Sequence, residues 1–330
     1  MKAVVLEGPR KASVKEVDDP KVGRDEVLIE VAASGICGGD LSAWVGRGHG
    51  RYPKIPGHEY SGTIVALGEE VQDLQVGQPV TVDPCLHCGR CRFCRESRFN
   101  FCENRVIRSG GFAEYVSVRR ENVFPCEGLS LEEAAVVEPV ACGVHAFKLL
   151  GSCLADNVLL FGCGSQGLIL LQLSRLQGAA TITAVDRFDM KLELAQKLGA
   201  DRVLKADAHL DKALRDLGPF DLIINATSQP KVAESMFHYV SKGSKLLFFG
   251  VCPPDATIEI SPYQVYAKDL KIFGSNSLSG DFEQALRLVL SGAINVRPLI
   301  THRFSLEEFT TGIEKMDNPV DSIKILVKPS

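Results

Sequence analysis

The hydrophobic and polar positions fall into two textures along the chain. Before residue 150, short apolar runs are punctuated by glycine and proline. Val27 to Val31, Gly62 to Ala66, Val80 to Val82 and Phe112 to Val118 read as strands. Their spacing predicts a β-rich, barrel-like domain. Beyond residue 150, strands alternate with helices. Val158 to Phe161 is a buried-strand run, followed by a glycine-rich turn and a helically spaced segment from Gln166 to Leu176. Strands are expected at Thr181–Val185, Arg202–Leu204, Phe220–Ile224, Lys245–Phe249 and Leu270–Phe273. Helices are expected at Asp189–Leu198, His209–Leu217 and Lys231–Val240, the last closed by Ser241-Lys242-Gly243. Such alternation predicts a doubly wound parallel sheet of six strands between 157 and 275. A helix at Asp281–Leu290, another at Leu306–Met316 and a strand at Lys324–Val327 follow. The six-stranded unit is complete by residue 275, so this tail is assigned to the first domain.

Composition adds bounds. The 330 residues suggest about two domains. A net charge of −4, from 37 basic and 41 acidic residues, gives no reason to expect a nucleic-acid or membrane-surface partner. No apolar run approaches the ~18 residues of a membrane span. The first residues are charged too soon for a signal peptide, so a cytoplasmic location is expected. Cysteine is the outlier. There are eleven, five of them between 85 and 102. A chain this large has no need of disulfide staples, so clustered thiols read as metal ligands.

Gly162-Cys163-Gly164-Ser165-Gln166-Gly167 fits the G-x-G-x-x-G pattern between a strand and a helix. Gly162 allows the tight turn, Gly164 the approach of a pyrophosphate, and Gly167 close helix–strand packing. Ser165 and Gln166 open the helix whose N-terminus favours anions. The next strand ends in Asp186, nineteen residues beyond Gly167. A carboxylate there accepts from an adenosine ribose and repels a 2′-phosphate, which favours NAD over NADP. Arg187 beside it weakens that preference.

Cys88, Cys91, Cys94 and Cys102 offer four thiolates within fifteen residues. A closed set of four suits a structural zinc. A register 85/88/91/94 and an iron–sulfur cluster are the alternatives. The later set is preferred for its longer return arm, with Cys85 a spare thiol. Cys37, His58, Glu59 and Glu138 form a second group of ligand types, scattered along the chain. Three protein ligands with an open position describe a catalytic zinc, although spacing alone does not bring these residues together.

On Gly35-Ile36-Cys37-Gly38-x-Asp40, Pro56-Gly57-His58-Glu59, the four-cysteine lobe, Gly110-Gly111-Phe112-Ala113-Glu114-Tyr115, Glu138-Pro139 and the Gly162 turn, the chain resembles the zinc-dependent medium-chain dehydrogenases. Within them it is most similar to the polyol (sorbitol/arabinitol-like) dehydrogenases. The resemblance implies an α/β protein: a GroES-like catalytic domain at 1–150 and 276–330, carrying a structural zinc lobe at 85–102, and a Rossmann NAD-binding domain at 151–275. It implies catalytic zinc on Cys37 and His58, with Glu59 as ligand or backing charge and Glu138 at the metal directly or through water. Zinc is thus expected twice per chain. It further implies oxidation of a small polyol or other secondary alcohol by NAD, and a homodimer or homotetramer.

The sequence departs from the family's pattern in four places. Gly39 stands where most relatives carry the Ser or Thr that relays the alcohol proton, and Ser42 where many carry a His. Ser42 is therefore expected to relay through a water in the space at Gly39. After the last Rossmann strand, Gly274-Ser275-Asn276 lacks the basic residue of sorbitol dehydrogenases; Ser275 and Asn276 are expected beside the nicotinamide. The stretch from Cys102 to Gly110 is short. These changes keep open a threonine or sugar-phosphate dehydrogenase, or a non-catalytic NAD-binding relic. Among other residues, His49 and Tyr52 are weighed as substrate contacts and Trp44 as a pocket wall, each with packing or surface as the alternative. His87 is expected to face solvent, Cys163 to fill the turn, and Lys324 to be a strand-edge charge, with a cofactor phosphate as its other reading.

Overall fold

The computed structural model describes residues 1–47 and 51–329. They form two compact units. The first comprises Met1–Ala141, Leu278–Gly292 and the chain from Val296 onward; the second comprises Cys142–Ser277 with Ala293–Asn295.

The first unit begins with a hairpin of β1 (Lys2–Gly8) and β2 (Lys11–Glu16), neither strand of which was among the expected elements. Then come β3 (Glu26–Gly35), α1 (Gly38–Trp44), β4 (Glu59–Leu67) and β5 (Pro79–Val82). The cysteine lobe contains β6 (Cys85–Leu86), α2 (Arg92–Arg95) and β7 (Val106–Ile107). β8 (Tyr115–Arg119), β9 (Val123–Pro125) and the short α3 (Leu131–Ala134) follow. α4 (Val137–Leu150) is the helix in which the division between the units falls.

The second unit alternates regularly: β10 (Asn157–Phe161), α5 (Ser165–Leu176), β11 (Thr181–Asp186), α6 (Asp189–Lys197), β12 (Arg202–Lys205), α7 (Leu210–Leu217), β13 (Phe220–Asn225), α8 (Pro230–Ser235), β14 (Val240–Phe248), α9 (Pro262–Ala267) and β15 (Lys271–Gly274). The remaining elements, α10 (Phe282–Leu290), β16 (Ile300–Ser305), α11 (Phe309–Asp317) and β17 (Lys324–Lys328), belong to the first unit.

In the second unit the strands are parallel in the order β12-β11-β10-β13-β14-β15. This is the doubly wound arrangement, with strand order reversing beside β10. Val158, Leu159, Leu160 and Phe161 are all buried, as a strand covered on both faces requires. One helix is shorter than the sequence suggests. α8 stops at Ser235, a single 3₁₀ turn spans Met236–His238, and Val240 already pairs with Phe220. Strand pairing thus claims Val240, which the apolar spacing had given to a helix, and β14 runs on through the Ser241-Lys242-Gly243 read as the helix's close.

The first unit is built on a seven-stranded sheet in which β16-β17-β3-β4-β5-β9 lie in order and β8 also pairs with β3. Period-two burial explains β3: Val27, Ile29 and Val31 are fully buried, while Glu30 faces out. They pack with Tyr60, Ile64, Val80, Val82, Val116 and Val118. A second cluster joins Leu6, Ile36, Trp44, Phe112, Phe309 and Ile325. Trp44 is 3% exposed and meets the Phe309 ring edge-on, so it is a core residue and not a pocket wall.

The β3–β4 contact leaves no room for a side chain at Gly62, where a Cβ would lie 1.9 Å from the Glu30 carbonyl oxygen. Gly62→Ala is expected to lower stability by about 1–3 kcal/mol, read as a reduced urea midpoint at unchanged slope. An unchanged midpoint would mean that the two strands separate at no cost.

Candidate active site

Cys37 stands at the end of β3 as the residue capping α1, and Asp40 in the first turn of that helix holds the local backbone. Its Oδ2 accepts from the Cys37 N–H at 3.0 Å and its Oδ1 from the Gly57 N–H at 3.2 Å. The same Oδ1 lies 3.8 Å from His58 Nδ1. Gly57 has φ +88°, and a Cβ there would lie 2.8 Å from the Phe112 nitrogen, so the turn before His58 requires glycine. Glu59 begins β4 opposite Gly35 of β3. One ligand-type atom from each of Cys37, His58 and Glu59 lies within 4.8 Å of the others. Cys37 and the His58-Glu59 pair, 21 and 22 positions apart in sequence, are thus brought together by the β3–β4 pairing.

Glu138, in the first turn of α4, is 7% exposed. Burial pushes its carboxyl up to about 7, against the pull of His58 and Lys324 and with a further push from Glu59 and Asp83. Burial also raises the Cys37 thiol and the Asp40 carboxyl. For His58, burial pulls downward, but Cys37, Asp40 and Glu138 together hold the imidazole well above its ordinary value. The donor set of thiol, imidazole and carboxylate, with Glu59 buried, Cys37 and His58 partly exposed and acidic groups around them, fits a divalent zinc ion.

Sequence reasoning missed two residues here. Asp40 was visible only as part of a motif. Lys324, taken for a strand-edge charge or a cofactor-phosphate contact, is 3% exposed, with its ammonium group 2.6 Å from Glu59 Oε2. The expectation fails because β17 is flanked by β16 and β3, which places its first residue in the interior.

Gly39 follows Cys37 on α1. A Cβ there would make ordinary contact with His58 Cε1 at 3.5 Å, so packing does not demand glycine. Ser42 lies three residues further, on the same helix face. Tyr52 donates its hydroxyl hydrogen to the Ala43 carbonyl oxygen and lies under the Lys54 ammonium group. His49 lies outside the described residues.

In the cysteine lobe, Cys88, Cys91, Cys94 and Cys102 have their sulfurs mutually within 4.8 Å. Cys88 and Cys94 sulfurs are 4.0 Å apart, and those of Cys91 and Cys94 are 3.5 Å apart. Zn–S bonds of about 2.3 Å in a tetrahedron place sulfurs roughly 3.8 Å apart, so the spacing suits zinc. Backbone N–H groups of Cys88 and Asn104 point at Cys102 Sγ, and that of Cys91 at Cys88 Sγ. The N–H groups of Arg90 and Cys91 draw the Cys88 thiol down to about 6, while burial pushes Cys94 up to about 12. Cys85 is buried outside the set, paired in β6 with Ile107. His87 does not face solvent freely: its ring stacks on Phe99 at 4.2 Å.

The second unit carries the glycine-rich turn between β10 and α5. Gly162 has φ +94°, and a Cβ on Gly167 would lie 1.8 Å from the Gly162 oxygen. A Cβ on Gly164, the residue capping α5, would meet nothing within 4 Å, which leaves an open cradle at that end, where Ser165 and Gln166 begin the helix. These features fit a dinucleotide pyrophosphate. Asp186 ends β11; its Oδ2 accepts from the Cys163 N–H at 2.7 Å and its Oδ1 from the Phe188 N–H at 3.1 Å. Arg187 lays its guanidinium over the Phe188 ring at 5.2 Å, and Lys191 its ammonium group at 5.0 Å. Lys191 is 5% exposed, and burial pulls its ammonium group below the usual lysine value against the opposing pull of Asp186. Its signal in the sequence is a cation in the first turn of the helix after Asp186. Cys163 is fully buried in the turn, and Ser275 and Asn276 follow β15 directly.

The chain's own matches agree with these arrangements. Residues 23–128 match the alcohol dehydrogenase GroES-like domain, and residues 167–291 match the zinc-binding dehydrogenase model. D-arabinitol dehydrogenase 1 of Uromyces fabae is 34% identical, covering 100% of this chain and 97% of its own. The chain belongs to the zinc-dependent medium-chain alcohol dehydrogenase family. Within that family it falls with the polyol dehydrogenases, and D-altritol 5-dehydrogenase of Agrobacterium fabrum is 33% identical over 98% of each chain. A candidate zinc-binding dehydrogenase from Sinorhizobium meliloti 1021, solved bound to NADP, superposes with a TM-score of 0.93 at 32% identity over 99% of both chains. The GroES-like and Rossmann architecture expected of the family is the one found here.

In the metal-free protein, the buried Glu138 keeps its proton to about pH 7, whereas an unfolded Glu releases it near 4.5. Folding therefore takes up a proton in this window, and the contribution falls as pH rises from 4.5 to 7. Relative to wild type, Glu138→Gln is expected to gain roughly 2–3 kcal/mol across that range in metal-free samples, measured by denaturant unfolding at several pH values. A constant difference between the two proteins contradicts it.

Proposed function

We propose that the protein is an NAD-dependent, zinc-dependent dehydrogenase that oxidises a polyol or other secondary alcohol to a ketone. The observation that carries this reading is the convergence of Cys37, His58 and Glu59 within 4.8 Å. Cys37 and His58 hold the catalytic zinc, with Glu59 as ligand or backing charge and Glu138 near it directly or through water. Cys88, Cys91, Cys94 and Cys102 hold the second, structural zinc. Bound zinc supplies Lewis acidity that makes an alcohol hydroxyl acidic near neutral pH, and the nicotinamide supplies the hydride acceptor. The overall change takes a hydride from the carbinol carbon and a proton from its oxygen. Gly162, Gly164, Ser165, Gln166 and Gly167 cradle the pyrophosphate, and Asp186 orders the ribose, favouring NAD with Arg187 turned onto Phe188. Ser275 and Asn276 are assigned to the nicotinamide end.

The proton requires a path that Gly39 does not supply. The space beside His58 Cε1 takes a water, and Ser42, one helical turn along the same face, takes the proton onward. Ser42→Ala is expected to lower kcat by about 10²-fold, with a changed pH profile, and Gly39→Ser to recover part of the loss. If kcat and its pH profile are unchanged, Ser42 carries no proton.

We assign the enzyme to the cytoplasm as a homodimer or homotetramer. Eleven free thiols suit a reducing compartment. Among the described residues no helix is long and apolar enough to cross a membrane. The open edge of β15 and the exposed Tyr263 and Tyr266 of the same unit suit a second copy. The reading as a whole is tested by NADH formation over a panel of polyols, threonine, sugar phosphates and simple alcohols, with zinc counted in the same sample. Two zinc per chain and turnover of polyols are expected. A folded, zinc-replete protein inactive on every substrate overturns the assignment in favour of a non-catalytic NAD-binding protein.

A further inference from the structure

Ser279 lies where the chain returns to the first unit after β15, and its hydroxyl sits on the backbone of the cysteine lobe between Cys94 and Cys102. The Phe99 N–H donates to Ser279 Oγ at 2.8 Å, and that hydroxyl donates to the Ser97 carbonyl oxygen at 3.1 Å. Both partners are tied to cysteines of the four-thiol set. The Ser97 N–H donates to the Cys94 carbonyl oxygen at 3.1 Å, and the Cys102 N–H to the Phe99 carbonyl oxygen at 3.0 Å. The Phe99 ring is itself held by its stack on His87. Around Ser279 the segment is fastened at every step. Leu278 and Asp281 are fully buried, and Asp281 Oδ2 accepts from the Ser279 N–H at 2.6 Å. Gly280 has φ +73°, and a Cβ there would lie 3.2 Å from the Phe99 ring. Phe282, opening α10, meets the Phe124 ring at 5.0 Å.

On its other side, β15 ends at Gly274, and the Ser275 N–H donates to the Phe248 carbonyl oxygen at 3.4 Å. Ser275, Asn276 and Ser277 are therefore strung between the end of a strand and the lobe-held Leu278–Asp281. Ser277 has φ +61°, a left-handed conformation that a serine keeps only where its surroundings hold it. We propose that Ser279 is a positioning residue for the cofactor: clamped by the cysteine lobe, it fixes the short segment carrying Ser275 and Asn276, so that metal in the lobe tightens the hold on the nicotinamide. The inference rests on the assignment of Ser275 and Asn276 to the nicotinamide end. Only two residues separate Asn276 from Ser279, so few torsions can absorb a loss of the clamp. Holding that backbone beforehand removes ordering entropy that binding would otherwise cost. Metal in the lobe orders the chain between Cys94 and Cys102, and with it both partners of the Ser279 hydroxyl, which couples metal and cofactor.

The test compares the affinities of zinc-loaded protein for NADH and for ADP-ribose, which lacks the nicotinamide, by titration calorimetry. Ser279→Ala removes two hydrogen bonds and is expected to weaken NADH binding about fivefold while leaving ADP-ribose within about twofold. Ser279→Thr, which keeps the hydroxyl, is expected to bind NADH as wild type does. Cys94→Ser, which opens the lobe, is expected to weaken NADH by a similar factor, and adding Ser279→Ala to it to weaken NADH no more than about twofold further. Ser279→Cys and Cys91→Ser give the same comparisons if the alanine or Cys94 variant does not fold. NADH affinity unmoved by Ser279→Ala, lost equally for both ligands, or lost again in full in the Cys94→Ser background overturns the proposal. NADH affinity unmoved by Ser275→Ala combined with Asn276→Ala overturns the assignment of those two residues, a separate result.

Discussion

Buried charge must be paired, and that requirement organises the first unit. Glu59 is almost fully enclosed, and an ionised carboxylate there without a partner would cost several kcal/mol. Lys324 supplies the partner, but only because β17 closes alongside β3 and brings the last segment of the chain to the first ligand. Asp40 repeats the logic at smaller scale: its two oxygens tie Cys37 to Gly57 and face His58. The site is held by pairings between strands and by hydrogen bonds to backbone: Glu59 begins a strand, Cys37 caps a helix, and His58 ends the connection that leads into β4.

The same requirement suits metal chemistry. A thiol raised by burial, an imidazole held above its ordinary value by acidic neighbours and a carboxyl pushed up to about 7 form a set whose negative forms await a cation. The cysteine lobe answers the problem differently. Its sulfurs receive backbone N–H groups, so thiolates are stabilised locally, within one short segment. One site is therefore assembled from four distant pieces of chain, and the other from a single contiguous lobe.

Legibility followed that difference. The lobe and the glycine-rich turn could be read because their residues are neighbours in sequence and their spacing is itself the chemistry. The central strands β10, β11 and β13 of the second unit could be read because both faces are covered, so their apolar runs are continuous. The hairpin of β1 and β2 was missed although Ala3 to Leu6 is a continuous apolar run, because its partly exposed partner strand carries little apolar signal to complete the pair. Val240 was misassigned because a helical spacing of apolar residues persists where strand pairing with Phe220 takes over.

By itself the sequence determined the class of protein, the two ligand inventories and the phosphate-binding turn, since each depends on residue type at short, fixed spacing. Only the tertiary structure decided that Cys37, His58 and Glu59 meet, that Trp44 belongs to the core, and that Lys324 is an interior cation and not a surface one. The physical reason is register. A strand presents successive side chains to opposite faces, so which of them enters the interior, and beside which partner, is fixed by pairing across β17, β3 and β4. No local pattern at position 324 carries that information.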